Sequence, residues 1–372
     1  MNSEQLKYLN LTMPAEWEDQ EAVLMAFPHE DTDWGAYLDD ARRQFARIIA
    51  ELTWHGDKVI LLAKNASRTR QFISDWFHKE LGDGRGLDLL EIIEADYNDT
   101  WTRDYGPLSV VNNATGTPLA LDFGFNAWGL KFPANLDNQV NAKLCAGGII
   151  SPGFYMDCRD IILEGGSIES DGYGTLLTTS ECLLSPNRNP TYSRPELEEV
   201  LKQRLGVNRV LWLDHGHIAG DDTDSHIDTL CRFAPYGVIL YTAAGEPTEA
   251  GYEEREAMFR QLTTFRTAEG RPYHLVELPL PDPIYDEEGN QLAATYANFL
   301  VTPGNVYVPS YGQPRKDRLA AMTVQSVYHD RRIIPVDCRT LIRQGGSLHC
   351  STMQLYPGVL RRKLNEILRN KL

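Results

Sequence analysis

No stretch of this sequence is apolar enough to cross a membrane. A bilayer-spanning helix needs roughly 20 consecutive apolar residues, and no run within the 372 residues approaches that length. The N-terminus, Met-Asn-Ser-Glu-Gln-Leu-Lys, lacks the basic segment and the apolar core of a secretory signal. We therefore expect a cytoplasmic protein that has no membrane partner.

Cysteine is sparse, and its spacing disfavours a structural zinc site. The six cysteines lie at positions 145, 158, 182, 231, 338 and 350, and no two show the short spacing of a zinc-binding pair. In a reducing cytosol most of them should be free thiols. A cysteine that carries chemistry would therefore act as a thiol and not as half of a disulfide.

Basic residues are also in the minority. The chain has 36 Lys and Arg against 52 Asp and Glu, which gives a formal net charge of −16. Such a balance argues against nucleic acid and anionic membrane surfaces as partners. It suits a small cationic substrate, although an acidic surface also serves solubility.

The composition, 42% hydrophobic and 24% charged, is that of a globular protein. Apolar periodicity predicts strands at residues 22–27, 58–63, 91–95, 108–111, 119–123, 176–179, 209–213, 238–242, 274–278, 299–301, 306–308 and 332–336. It predicts helices at 38–52, 66–81, 136–146, 194–205, 253–266, 316–329 and 358–371. Ser193 and Glu196 form a capping box at the start of the fourth of these helices. The alternation defines an α/β protein, and because the Pro-rich run 278–283 reads as a loop, residues 1–372 are predicted to form one domain.

The segment from Gln344 to Thr352, with the sequence QGGSLHCST, places Cys350 just beyond two glycines. Glycines allow a tight turn and a close approach to a ligand, and a thiol at the end of such a turn is a candidate nucleophile. Taken alone, an ordinary half-buried cysteine is the more common outcome. The interpretation depends on the partners that the rest of the chain supplies.

A second motif contains Trp101, Arg103 and Asp104 in a loop that ends at Gly106-Pro107. Asp104 could bind a cation on which Trp101 stacks. Alternatively, Arg103 and Asp104 could form a surface ion pair beside a packed Trp101. The residues alone favour neither hypothesis.

The densest polar motif spans residues 214–228 and allows two functional interpretations. His215, His217 and Asp221 resemble the ligand set of a metal-dependent hydrolase. In the other interpretation His226 is a general acid and base, and Asp228, two residues along an extended segment, lies on the same side and binds substrate. A hydrated acidic loop is the structural alternative to both.

Two weaker candidates complete a regular series. Glu164 precedes a Gly-Gly-Ser sequence that recurs before Cys350, and Asn298 opens a predicted strand. The intervals along the chain are 60, 62, 72 and 52 residues between, in order, Asp104, Glu164, His226, Asn298 and Cys350. Five polar loop residues at nearly even intervals predict five similar α/β units that each bring one loop to a common centre.

Five motifs carry a resemblance to a known family: WTRDYGP at 101–107, LEGGS at 163–167, CLLSPNRNP at 182–190, DDTDSHID at 221–228 and GGSLHC at 345–350. With them the chain, from Met13 to Gln354, resembles the agmatine deiminase and bacterial peptidylarginine deiminase family. This family belongs to the guanidine-modifying superfamily. The resemblance implies the fold of that superfamily, a five-bladed α/β propeller (the pentein fold) around a central active site.

The resemblance also implies roles for the residues of these motifs. Cys350 would be the nucleophile, His226 the acid and base, and Asp104 and Asp228 the carboxylates that hold a guanidinium. The residues predicted to contact substrate are Trp101, Asn298 and Glu164, of which Glu164 matches a superfamily acid whose role varies. The chemistry requires no metal or organic cofactor, so the histidines and aspartates around position 215 would be structural.

Three substrates share the guanidinium group: agmatine, free arginine and peptidyl-arginine. We favour agmatine, because an intracellular single-domain chain suits a small metabolite and no residue can be assigned to an α-carboxylate. Ser347, Ser351 and Met353 stand where agmatine deiminases commonly have Asn, Ile and Gln, which bears on the substrate and not on the chemistry. The alternatives of other classes are a metal-dependent hydrolase and an inactive guanidine-binding protein, and a homodimer is retained as an expectation for assembly.

Overall fold

The strands of this protein form five separate sheets. The structure, a computed structural model, describes Leu6 and residues 8–361. In this part of the chain the strands, numbered β1 to β17, are Leu11–Thr12, Ala22–Ala26, Val59–Ala63, Leu90–Glu94, Leu108–Asn112, Thr117–Gly124, Tyr155–Ile162, Ile168–Ser170, Thr175–Thr179, Arg209–Leu213, Cys231–Ala234, Val238–Thr242, His274–Leu278, Leu300–Val301, Asn305–Ser310, Arg332–Asp337 and Met353–Leu355.

Helices connect these strands. The right-handed α-helices of the described residues, numbered α1 to α9, are Leu38–Trp54, Ala66–Leu81, Thr102–Tyr105, Val140–Ala146, Ser180–Leu183, Arg194–Leu205, Ile227–Leu230, Tyr252–Leu262 and Pro314–Val327. Short 3-10 helices lie at Gly35–Tyr37, Leu87–Leu89, Asp137–Gln139, Gly165–Ser167, Pro235–Gly237 and Leu341–Gln344. Among the described residues, none of the helices combines the length and the apolar character needed to cross a bilayer.

The five sheets, which we call blades I to V, repeat one arrangement. In order along the chain they contain β17-β2-β3-β4, β1-β5-β6-β7, β8-β9-β10, β11-β12-β13 and β14-β15-β16. In each blade an antiparallel pair is followed by a parallel strand, as in β8, β9 and β10. The prediction of five similar α/β units is therefore confirmed.

Blade I joins the two ends of the chain. Its strand β17 pairs antiparallel with β2, so that Met353 lies opposite Leu24 and Leu355 lies opposite Ala22. The segment that carries Cys350 is thereby attached to the N-terminal part of the protein. This closure places residues more than 300 positions apart within hydrogen-bonding distance of one another.

Local capping residues determine where a helix begins and ends, and one apolar face of the helix packs against the strands. The predicted capping box is present, since the backbone N–H of Ser193 donates to Glu196 at 2.8 Å, and Gly206 ends the same helix with φ +69°. On α1, buried side chains such as Phe45 and Ile49 belong to one apolar cluster that includes residues of β3 and β16. The helix α1 therefore packs against these strands with the apolar face that its periodicity predicts.

The structure changes several predicted boundaries and adds strands. The helix predicted at 253–266 ends at Leu262, because Thr263 and Thr264 turn out of it. The helix predicted at 358–371 falls mostly outside the described residues, and its first four residues form a turn and a bridge instead. Strands β7, β8, β11 and β17 were not predicted, because their polar residues interrupt the apolar pattern.

The closure of blade I gives a test of stability. Leu24 is fully buried on β2, so Leu24→Ala should lower the free energy of unfolding by roughly 2–5 kcal/mol. Leu319, which is 51% exposed on α9, is the matched control, and Leu319→Ala should change it by less than about 0.5 kcal/mol. Urea unfolding followed by circular dichroism measures both variants, and equal effects would contradict the proposed closure.

Candidate active site

The predicted site residues occupy the same place in successive blades, in a loop or a short helix just before the first strand of an antiparallel pair. Before β5, β8, β11, β14 and β17 these residues are Asp104, Glu164, His226 with Asp228, Asn298 and Cys350. Because the blades surround one centre, the five loops meet there. This geometry explains the nearly even spacing along the chain.

Cys350 follows a turn that only glycine permits. Gly345 has φ +76°, a left-handed conformation that favours glycine. A Cβ at Gly346 would lie only 2.3 Å from the ring of Trp101. The two glycines therefore let the backbone pass closely beside Trp101 before it presents the thiol.

The thiol of Cys350 lies among polar groups of other blades. Its Sγ is 3.2 Å from Nδ2 of Asn298 and 3.8 Å from Oδ2 of Asp228. Burial, followed by the charges of Asp228 and Asp104, raises the pKa of this thiol well above its ordinary value. This environment therefore favours the neutral thiol over the thiolate.

Asp104 is buried and is held by neutral donors. The indole Nε1–H of Trp128 donates to Oδ2 at 3.0 Å, and the backbone N–H of Gly166 donates to Oδ1 at 3.0 Å. Burial, with a smaller contribution from Asp228, raises the pKa of Asp104 to about 6, although the charge of His226 acts in the opposite direction. The carboxylate form therefore predominates only above about pH 6.

Asp228 has one engaged and one open oxygen. Nδ1 of His349 lies 2.8 Å from Oδ2, whereas Oδ1 has no hydrogen-bond partner among the described residues. Burial alone would raise the pKa of Asp228, but the hydrogen bond and charge of His349 and the charge of His226 bring it below the ordinary value. Asp228 is thus an ionised carboxylate with one free acceptor.

His226 lies between the two carboxylates. Its Nδ1 is 3.6 Å from Oδ1 of Asp104, and within the described part of the chain neither ring nitrogen has a hydrogen-bond partner. Gly166 provides the space, because a Cβ there would lie 2.7 Å from Nδ1 of His226, 2.8 Å from Asp104 and 3.1 Å from Asp228. The ring is free to exchange protons with a bound molecule.

Glu164 reaches the same centre but is already paired. Its two oxygens lie 2.9 and 3.0 Å from Nε of Arg188, and both side chains are fully buried. Arg188 also donates to Asp224 and to the carbonyl of Thr223, in the loop that leads to His226. The structure therefore pairs Glu164 with Arg188, and its contact with substrate stays a prediction.

Trp101 lines the cavity, yet most of its surface is packed. It is 5% exposed and lies against Trp34, with ring centroids 5.8 Å apart. Its stacking on a substrate stays a prediction. The alternative of a surface ion pair between Arg103 and Asp104 is wrong, because both residues are buried and Arg103 pairs with Glu16.

The structure does not assemble the metal site of the alternative hypothesis. His215 is exposed and lies 3.3 Å from Glu254, while the oxygens of Asp221 accept hydrogen bonds within its own loop. Among the described residues the only three potential ligands within reach of one ion are Glu164, Cys182 and His226. The carboxylate of that trio is occupied by an arginine, which disfavours a cation.

A cavity of about 450 Å³ adjoins Cys350 and Asp104. Its lining also includes Asp31, Asp33, Asp99, Asp137 and Asp222. Among the described residues that line it, the one arginine or lysine is Arg343, whose guanidinium already pairs with Glu287 and lies 4.0 Å over the ring of Tyr37. The excess of acidic residues in the lining favours a cationic ligand.

Sequence reasoning missed Trp128, His349, Glu16 and Arg188. Trp128 lies in a left-handed turn at Ala127–Leu130, where non-glycine residues have positive φ. An indole N–H needs a partner when it is buried, so the isolated tryptophan beside Gly129 was a usable signal. The other three side chains are recognised only from contacts across blades.

Known proteins share this architecture and sequence. The profile of the Porphyromonas-type peptidyl-arginine deiminase family matches residues 12–356. A Shewanella sp. (strain MR-4) protein named "Putative agmatine deiminase" is 34% identical, over 93% of this chain and 94% of its own. The solved structure of the "Putative Arginine Deiminase from Porphyromonas gingivalis" is 41% identical, covers 95% of this chain and 100% of its own, and has a TM-score of 0.86. A cysteine-to-serine variant of C. jejuni agmatine deiminase with substrate bound is 36% identical, with 94% and 97% covered and a TM-score of 0.83.

Five α/β blades around a cysteine, a histidine and two carboxylates define a pentein-fold hydrolase that acts on the C–N bonds of amidines. The chain belongs to the Porphyromonas-type peptidyl-arginine deiminase family. The fold and the family that its motifs imply are both confirmed.

The space at Gly166 gives a test of the site. Gly166→Ala would place a methyl group between His226, Asp104 and Asp228, so kcat/KM should fall at least about a hundredfold. Gly304→Ala is the control, because a Cβ at that glycine meets nothing within 4 Å. Steady-state kinetics measures both, and Gly166→Ala with the activity of the control would show that the three side chains do not act together.

Proposed function

We propose that this protein is an agmatine deiminase, which converts agmatine and water to N-carbamoylputrescine and ammonia. One observation carries the proposal: a buried thiol lies beside two buried carboxylates from different blades, and Cys350 and Asp104 line a cavity that is rich in acidic residues. The names of the relatives support the reaction. We further propose that residues 1–372 form a single catalytic domain that works in polyamine (putrescine) biosynthesis.

The two carboxylates match the shape and charge of the guanidinium. This group is planar and permanently charged, and its carbon is a poor electrophile until it is held and polarised. In the proposed complex Asp104 and the open oxygen of Asp228 accept its N–H groups, which fixes the plane beside Sγ of Cys350. The cost of keeping carboxylates in this buried centre is offset when the cation binds.

Substrate binding also activates the nucleophile. In the free enzyme burial and the negative charges of Asp228 and Asp104 disfavour the thiolate of Cys350. A bound guanidinium neutralises those charges and adds its own, so the thiolate becomes favourable once substrate is present. The thiol is thereby protected from other electrophiles until the substrate arrives.

The proposed reaction proceeds in two displacements. The Cys350 thiolate attacks the guanidinium carbon, and His226 gives a proton to the nitrogen that leaves as ammonia. This step forms a covalent thiouronium on sulfur. His226 then removes a proton from water, which attacks the same carbon, and the C–S bond breaks to release the ureido product and the thiolate.

The cavity wall bears on the choice of substrate. Agmatine carries an ammonium at its far end, which suits the carboxylates around Asp99 and Asp222. Free arginine would bring an α-carboxylate to this wall, and Arg343 is already paired there. Arginine deiminase activity nevertheless stays a second candidate, because one 41% identical relative carries that name, and peptidyl-arginine deimination is a third.

Ammonia release from agmatine, free arginine and a blocked arginyl peptide tests the proposal. We expect the highest kcat/KM with agmatine, and at least about tenfold less with n-pentylguanidine, which replaces the ammonium by a methyl group. The Cys350→Ser variant is the control and should release no ammonia. A higher kcat/KM with arginine or the peptide would overturn the choice of agmatine, and no release from any of them would overturn the proposed enzyme.

The pKa of Asp104 predicts an acid limb in the pH profile. The carboxylate is needed to hold the cation, so kcat/KM should be retained above about pH 6 and fall as the pH drops through that value. Asp104→Asn should lower kcat/KM at least about a hundredfold, and the fall in kcat/KM near pH 6 should disappear in this variant. A loss within about fivefold, the size expected for an exposed ion pair, would remove Asp104 from the site.

A further inference from the structure

His349, the residue immediately before Cys350, connects two carboxylates and has no role in the reaction proposed above. The ring of His349 is fully buried, and its two nitrogens face carboxylates of different segments. Nδ1 lies 2.8 Å from Oδ2 of Asp228, and Nε2 lies 2.8 and 2.9 Å from the two oxygens of Glu16. One imidazole therefore links the N-terminal segment to a carboxylate of the site.

Glu16 is anchored more firmly than a surface carboxylate. Nη1 of Arg103 lies 3.0 Å from one oxygen, while Nη2 of Arg232 and Nε2 of Gln354 donate to the other. Burial opposes its ionisation, but Arg232, His349 and Arg103 together hold the pKa of Glu16 well below its ordinary value. The far end of the bridge is thus a fixed negative charge with several donors.

The orientation of the His349 ring follows from the acceptor at Nδ1. An ionised carboxylate only accepts hydrogen bonds, so Nδ1 must carry a hydrogen. By the same rule the ionised oxygens of Glu16, 2.8 and 2.9 Å from Nε2, favour a hydrogen there and thus the charged ring. Burial acts in the opposite direction and lowers the pKa of His349, and the neutral ring would accept at Nε2 from Arg232, whose Nη2 lies 3.1 Å away. In both charge states the bond from Nδ1 to Asp228 is kept.

The same bond decides which oxygen of Asp228 is available. Oδ2 is engaged by His349, and Oδ1 is left without a partner among the described residues. A carboxylate that is free to rotate would offer either oxygen and would lose conformational freedom when it binds a cation. Engagement of Oδ2 removes that freedom before the substrate arrives.

We propose that His349 is a positioning residue that holds Asp228 through Nδ1, is itself held by Glu16 at Nε2, and so presents Oδ1 of Asp228 to the cationic group of the substrate. The inference rests on the proposed function, in which Asp228 grips a guanidinium. His349 does not touch the substrate in this arrangement. It acts through Asp228 alone.

Two substitutions of His349 distinguish the contribution of Nδ1 from that of Nε2. The side-chain amide of Asn reaches the place of Nδ1, so His349→Asn can keep a donor for Asp228. The longer Gln places its amide near Nε2, so His349→Gln loses that donor while it keeps a polar group toward Glu16. A merely structural role for the ring predicts no such difference between the variants.

Alkylation of Cys350 by a matched pair of reagents measures how strongly Asp104 and Asp228 bind a cation, and it requires no turnover. The thiolate displaces chloride from cationic 2-chloroacetamidine or from neutral 2-chloroacetamide, forming an S–C bond and breaking the C–Cl bond in both cases. The amidinium, unlike the amide, is attracted by Asp104 and Asp228. The ratio of the two inactivation rates therefore measures how well the carboxylates hold a planar cation.

We expect this ratio to be at least about tenfold lower for His349→Gln than for His349→Asn, because a lost hydrogen bond to a charged group has that effect. Ratios for the two variants within about threefold of each other would overturn the proposal. If either variant fails to fold, Glu16→Gln replaces them: its ratio should fall at least about threefold below wild type, and an unchanged ratio would overturn the proposal. A wild-type protein that prefers the amidine but releases no ammonia from agmatine would contradict the proposed function and not this inference.

Discussion

The structure depends on keeping buried carboxylates charged at its centre. Burial of an unpaired carboxylate costs several kcal/mol, and pairing repays this only when the geometry is good. Asp228 meets this constraint through His349, and Glu16 meets it through Arg232, His349 and Arg103, so that despite burial the pKa values of both carboxyls lie below the ordinary range. Asp104 receives only neutral donors such as Trp128, so burial raises its pKa to about 6. Asp228 thus favours the carboxylate form, and in the proposed complex the bound cation would stabilise the carboxylate of Asp104.

Backbone strain is concentrated beside the same centre. Ala127, Trp128 and Leu130 have φ of +54°, +56° and +69°, and Asp224 and Ser225 have φ of +66° and +59°. Left-handed conformations cost roughly 1–2 kcal/mol for each non-glycine residue, and strain of this kind is often found at functional sites. The first segment brings an indole to the Asp104 carboxylate, and the second leads directly into His226. The strained turns therefore position groups of the candidate site.

The accuracy of the predicted elements follows from how local their signals are. Strands such as β3 and β12 were predicted because they are apolar on both faces, and the helix at 194–205 because Ser193 and Glu196 cap it. Strands β8 and β11 escaped prediction, since they carry the buried charged residues Glu169 and Arg232, which pair with each other at 2.8 Å. From local sequence alone, a charged residue in a strand is expected to be exposed. Only pairing with a residue of the next blade offsets the cost of burying it.

The sequence by itself determined the candidate site residues and the fivefold plan, because both are written in local motifs and in the intervals between them. Cys350, His226 and Asp104 reach one centre, as their spacing predicted, and Asp228 lies there as well, as its position two residues after His226 predicted. Only the tertiary structure decided how these groups are held. The partner that holds Asp228 comes from another blade, 121 residues away, and the glutamate behind that partner lies 333 residues from it. Such contacts depend on the closure of the ring of blades, and chain spacing carries no information about which side chains that closure brings together.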